Sequence, residues 1–451
     1  MSTLLVRNAE VLVTMDGARR EISGGGLFVR DGVIEAVDVA ESLPSEADET
    51  LDLAGCVVIP GLINTHHHFY QNLTRAVPAA QDATLFGWLR TLYPIWARMG
   101  PDEIRVSTQL ALAEMALSGC TCSSDHLYMF PGGARLDDQL EAAIDVGVRL
   151  HATRGAMSIG ESDGGLPPDS LVENEADILN DCLRVIQAHH DPAPGAMIRI
   201  GVAPCSPFSV SRELMRDAAH LARDQGVMLH THLAENDDDV AYSLEKFGCR
   251  PGEYAENLGW TGDDVWHAHC VKLDGDEIDL FNRTRTGVAH CPCSNMRLGS
   301  GIAPVRAMRD SGVKVALGVD GSASNDSGDL LAEARQAMLL QRVAHGGDVL
   351  GARETLEIAT LGGAAVLGRT DLGSLEVGKR ADFAVYRTDT IAMAGAWDPV
   401  AGLLFCGPHR AHHTVVEGRF VVRDGILNTI DLDSLLANHT RLARALGNAS
   451  A

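Results

Sequence analysis

With 451 residues, 45% of them hydrophobic and 22% charged, the chain has the composition of an ordinary soluble globular protein and is long enough to bury a large core. A formal charge of -24 argues against nucleic acid or anionic membrane as partners, because both need a basic patch and this surface would on average repel phosphate. A small, neutral or weakly charged substrate fits better.

The N-terminus has no basic start followed by an apolar block and a small-residue cleavage site, and residues 4–14 read as one alternating strand. No uninterrupted apolar stretch reaches membrane-spanning length. Ten cysteines, several inside apolar runs (Cys120, Cys122, Cys270), read as buried small hydrophobes, which points to a reducing cytoplasm and away from a disulfide framework. Cys291 and Cys293 lack a second pair at zinc-site spacing. Residues 27–30 and 33–37 flank Asp31-Gly32, a hairpin signal. The same texture returns at 381–386 and 414–422. The expectation is one small β-sandwich built from both chain ends, residues 1–58 and 369–430, with a helical tail over 431–451.

Residues 59–368 alternate differently. Candidate strands at 61–64, 121–125, 149–154, 198–204, 228–232, 265–269, 287–290 and 314–320 are separated by mostly helical stretches, among them 102–117 and 211–224. This pattern predicts an α/β fold with a (β/α)8 TIM barrel. The segment 75–100, rich in aromatics and prolines, is too long for a simple connection and is expected to cover the barrel mouth.

The chemistry collects at the strand exits. His66 and His68 are two apart and so share one side of an extended chain, and His232, His269, His290 and Asp320 close later apolar segments. A catalytic metal needs three or four protein ligands and an open position for water, which His66, His68, His232 and Asp320 supply. Glu235, three residues past His232, is placed to move a proton between water and a substrate ring nitrogen, and Asp320 to pass a second one to a departing amine. His269 either orients the water or binds the metal. A lone histidine at a strand end is more often a satisfied core residue; His67, His230 and His267 are read that way. His189, His190, His412 and His413 are read as surface residues.

These motifs resemble the amidohydrolase superfamily in its chlorohydrolase and aminohydrolase branch. The match runs through Pro60 to His68, His232-Leu233-Ala234-Glu235, His269-Cys270, His290 to Asn295, Gly318 to Asn325, Gly373 to Lys379 and Val416 to Arg419, covering nearly the whole chain. The resemblance implies a mononuclear site, zinc first and iron second, on His66, His68, His232 and Asp320, with proton transfer by Glu235 and water orientation by His269. Two-metal relatives carry a bridging lysine at the end of the fourth strand; residues 201–207 contain none.

Within that branch, Gln71 matches a glutamine of guanine deaminases, but the arginine they carry near the end of the fourth strand is missing. Cys205 stands near that place, where deaminases of adenosyl compounds tend to have histidine. The run around Cys205, with residues 290–304, resembles enzymes that deaminate 8-oxoguanine to urate, so a purine-like base is the expected substrate. Trp96 and Phe208 are expected to pack on the base and Arg154 to reach its oxygens. The alternatives are a guanine, adenosyl-compound or triazine aminohydrolase or chlorohydrolase and, from another class, a catalytically inactive scaffold; no predicted ligand is lost, which speaks against the last. A polynucleotide deaminase would carry a cysteine-rich zinc signature, which is absent. Assembly as a homo-oligomer is allowed.

Overall fold

The computed structural model describes residues 2–448. Eight parallel strands close into a barrel: Leu62–Asn64, Cys120–Leu127, Arg149–Ala156, Ile198–Pro204, Met228–Leu233, Val265–His269, Gly287–His290 and Lys314–Leu317. Closure is made by Leu317 of the last strand against Asn64 of the first. The intervening helices start and stop where the sequence supplies caps. Ser211 accepts from Leu214 N to open Arg212–Gln225, and Gly226 closes it in the left-handed region that lacks a penalty only for glycine.

Two further sheets stand beside the barrel. A four-stranded sheet (Val33–Val39, Gly25–Arg30, Thr3–Ala9, Glu49–Asp52) comes wholly from the N-terminal end, whereas a seven-stranded sheet joins Val11–Val13, Glu21–Ile22 and Cys56–Pro60 to Phe383–Arg387 and three later strands. A shared apolar core that includes Leu4, Val6, Val29, Val58, Phe383 and Val415 holds the two together. The hairpin at Asp31-Gly32 forms, with both residues at positive φ. The single strand expected over 4–14 does not: Asn8 takes φ 61° and the chain crosses from one sheet to the other. A helix, Leu432–Asn448, ends the described chain, and residues 449–451 of the expected tail lie outside the described residues.

The long segment after the first barrel strand forms a helix, Leu85–Trp96, beside the mouth. All ten cysteines are free. Among the described residues no helix is long and apolar enough to cross a membrane.

Candidate metal and proton-transfer site

Each histidine of the site is oriented by a bond from its Nδ1. His68 Nδ1–H donates to the His126 carbonyl (2.7 Å) and His232 Nδ1–H to the Cys205 carbonyl (2.5 Å). A backbone carbonyl can only accept, so both rings present Nε2 as a bare lone pair. His66 is fixed through an intermediary. His230 Nδ1–H donates to the Trp266 carbonyl (3.0 Å), which leaves His230 Nε2 to accept from His66 Nδ1 at 2.8 Å. His66 Nε2 is then bare as well, fully buried and without a hydrogen-bond partner.

These lone pairs converge. His68 Nε2 lies 3.1 Å from His232 Nε2, and Asp320 Oδ1 lies 3.4 Å from His66 Nε2 and 3.3 Å from His68 Nε2. Acceptors this close repel one another unless a cation lies among them. A cation with bonds of about 2.0–2.1 Å needs neighbouring donor atoms roughly 3–3.5 Å apart, so the set fits a divalent metal. Burial also keeps the imidazoles neutral, pushing His232 down to about 3. Asp320 Oδ2 accepts from Ser294 Oγ (2.5 Å) and Ser324 Oγ (3.2 Å), which aims its other oxygen at the histidines.

Glu235 is buried, and burial pushes its carboxyl up to about 7 against the opposing pull of His269. Its Oε2 lies 3.7 Å from His269 Nε2. His269 donates from Nδ1 to Asn295 Oδ1 (2.9 Å). Burial disfavours its charged form, but Glu235 and Asp320 outweigh that and raise its pKa above the ordinary value. Three of these positions depend on left-handed backbone in residues other than glycine: Ala234 at φ 51°, His269 at 70° and Asp320 at 62°. Such strain clusters where a side chain must be re-aimed, here at the exits of three strands.

Above these groups lies a pocket, with Leu85, Trp88, Leu89 and Tyr93 of the covering helix on one wall and Gln71, Tyr128, Cys205 and Phe208 on others. Gly321 leaves room for the Gln71 carboxamide in its present position, since a Cβ there would sit 1.9 Å from Gln71 Oε1 and push the amide aside. Of the predicted substrate contacts, Gln71, Cys205 and Phe208 face this pocket. Trp96 and Arg154 do not. Trp96 is fully buried beneath the helix, its Nε1 donating to Thr74 Oγ1 (3.0 Å), and Trp88 stands at the wall instead. Arg154 points out of the barrel, forked onto Glu173 and paired with Asp181. His413, read as a surface residue, is buried. His126 was not singled out, yet its ring stacks on His232 at 4.9 Å and its carbonyl holds His68. The Asp125-His126 pair stands near the exit of a wholly buried strand of mostly small residues, Cys120–Leu127, and its place at a strand exit is the available signal.

Residues 57–428 match the amidohydrolase family. The chain is 43% identical over 449 residues to 8-oxoguanine deaminase of Pseudomonas aeruginosa, covering 99% of each chain. It is 36% identical over 472 residues to isoxanthopterin deaminase of an unknown prokaryotic organism, covering 98% of this chain and 97% of that one. Among solved structures, atrazine chlorohydrolase of Arthrobacter aurescens TC1 complexed with zinc superposes with a TM-score of 0.94 at 36% identity, over 98% of this chain and 100% of that one.

Proposed function

The chain belongs to the amidohydrolase family, and from that premise we propose that it is a zinc-dependent aminohydrolase that converts 8-oxoguanine and water to urate and ammonia. The observation that carries the reaction type is a buried carboxyl poised near neutrality, Glu235, facing the same pocket as His68, His232 and Asp320. We assign His66, His68, His232 and Asp320 as ligands of one zinc; a nitrogen and oxygen donor set of this kind also accepts iron. When bound, the metal supplies Lewis acidity that makes water a nucleophile at neutral pH.

The remaining chemistry is proton traffic among side chains. Water adds to the ring carbon that carries the amino group, and Glu235 takes one of its protons and hands it to the adjacent ring nitrogen. Asp320 passes the second proton to the amino group. The carbon–nitrogen bond then breaks, ammonia leaves, and the carbon keeps the oxygen as a carbonyl. His269, held by Asn295, orients the water.

Substrate choice rests on the pocket. An 8-oxopurine carries a carbonyl at C8 and a proton on N7, so it needs a partner there that does not demand an acceptor. Burial pushes the Cys205 thiol up to about 12, so it stays neutral and can accept weakly as well as donate. Gln71 engages the other edge of the base, while Trp88 and Phe208 supply apolar walls. The resemblance to 8-oxoguanine deaminase supports this reading.

The test is ammonia release from 8-oxoguanine, guanine, isoxanthopterin and aminotriazines by zinc-loaded enzyme. The expected kcat/KM for 8-oxoguanine exceeds that for guanine by roughly 100-fold or more, and Cys205→Ala narrows the gap. Equal rates on the two purines, or an unchanged gap in the variant, would discard the substrate assignment. No ammonia from any of the four would discard the reaction type.

A further inference from the structure

The catalytic groups lie at the carboxyl ends of the barrel strands. At the opposite end, where the strands begin, a second pocket of about 680 Å³ opens beside His151, Arg199 and Met228, early residues of the third, fourth and fifth strands. His190 and Gly368 complete the part of its wall that matters here.

This wall is rich in donors. His151 is 2% exposed, and neither ring nitrogen has a partner. Whichever tautomer it adopts, one N–H is unanswered. Arg199 spends its Nη1 and Nη2 on the carbonyls of Gly368 and Pro192, each at 3.2 Å, and its buried Nε–H has no acceptor. His190 accepts the Ile200 N–H at Nδ1 (3.1 Å), so its neutral ring carries the proton on Nε2. The two carboxylates of the pocket are already engaged: Asp264 by Arg223 and Asp263 by Lys314 and Arg285. Buried donors without acceptors are uncommon, because each costs the desolvation it does not recover.

We propose that this pocket binds a small oxyanion, a phosphate or a carboxylate, held by Arg199 and by N–H groups of His151 and His190. The guanidinium supplies the charge and the histidines supply directed donors, the combination that recognises an acceptor-only ligand. This site is independent of the deamination reaction, and none of its residues is assigned to it.

The experiment is calorimetric titration of the zinc-loaded, full-length enzyme with inorganic phosphate and, in a separate arm, with acetate. Saturable binding of one anion per chain is expected, and the tighter arm identifies the ligand as phosphate-like or carboxylate-like. Arg199→Gln and His190→Leu should each weaken it by at least about 10-fold while deamination stays within about twofold of the wild type, which also shows that the variants fold. Ligation should raise the wild-type Tm by about 3 °C at 100 times the Kd, and this rise should shrink in Arg199→Gln. Absence of saturable binding up to about 50 mM overturns the proposal. So does binding that both variants keep, since the anion would then sit elsewhere, for instance at the metal.

Discussion

At Glu235 the backbone and the side chain answer to different neighbours. Its N–H is tied to Asp239 Oδ2 (3.0 Å), while its carboxyl is turned into a dry site beside His269. Glu235→Gln keeps the size and the hydrogen-bonding reach but cannot take a proton. Metal content should therefore match the wild type while kcat falls by roughly 100-fold or more. The acid form is the inactive one for proton abstraction. Wild-type kcat/KM should thus rise with pH through an apparent pKa no higher than about 7, since a bound cation favours the carboxylate. A kcat/KM that falls as the pH rises from 5 to 7, or that rises only through a pKa well above 7, would remove Glu235 from the step. His230 offers a second residue-scale test. It reaches the proposed metal ligand His66 through the relay from the Trp266 carbonyl, and its ring stacks on Trp266 at 4.4 Å. His230→Phe preserves the stacking and deletes the relay, so zinc affinity, read by chelator competition, should drop by about 10–100-fold. Unchanged affinity would show that His66 needs no help with its tautomer. Sequence distinguishes the two kinds of histidine poorly: His230 and His232 share one face of one strand, and only depth in the barrel separates the orienter from the proposed ligand.

Strands transmitted their meaning more faithfully than the covering segment did, because a period of two leaves little freedom. Parity alone places Arg154 wrongly for a substrate contact: His151, turned toward Trp266 inside the barrel, lies an odd number of residues away, so Arg154 faces the outer helices. His269 breaks the same rule in the opposite sense. Trp266 is inside against His230 and His267 is outside against Phe281, so alternation would send His269 outward; its positive φ returns it to the site. No pattern of apolar residues announces such a turn. The helix Leu85–Trp96 poses a different problem. Leu85, Trp88, Leu89 and Trp96 recur at helical spacing on one face, so sequence gives the face but not how far along it the pocket extends. The pocket ends before Trp96, which packs against Tyr70, Trp88 and Tyr93. The two tryptophans should therefore separate in their effects. Trp88→Ala should raise KM by about 10-fold or more, whereas Trp96→Ala should cost about 3–5 kcal/mol in denaturant unfolding with KM nearly unchanged in the folded protein. The reverse pattern would mean that the base lies deeper under the helix than the pocket indicates.

At the scale of the whole molecule, the barrel and the flanking sheets are joined covalently, by shared apolar packing and by a buried ionic knot. Cys56–Pro60 ends in the seven-stranded sheet and, after Gly61 alone, the chain enters the barrel as Leu62–Asn64. Gly61 has no room for a side chain, since a Cβ would sit 2.1 Å from Thr121 Oγ1. Its N–H donates to the Asp382 carbonyl at 2.9 Å. Arg149, first residue of the third barrel strand and wholly buried, reaches back to the same aspartate with two bonds of 2.8 and 2.9 Å, and also to Glu417. Alternating texture at the two chain ends made the sheets legible in sequence, but nothing local marks Arg149, whose carboxylate partners Asp382 and Glu417 lie more than two hundred residues away. Removing one member of a buried pair leaves the other charged and dry. Arg149→Met, which retains the aliphatic stem, should therefore cost about 3–5 kcal/mol. Adding Asp382→Asn, which removes one stranded charge while keeping its size, should return part of that loss. Because the knot lies between the barrel and the sheets, the single variant should also loosen their coupling: its denaturant unfolding should broaden or split relative to the wild type, with a lower m value for the first phase. A single variant as stable as the wild type, or a double variant less stable than the single one, would show that the joint is held by packing across the interface and not by this ion pair.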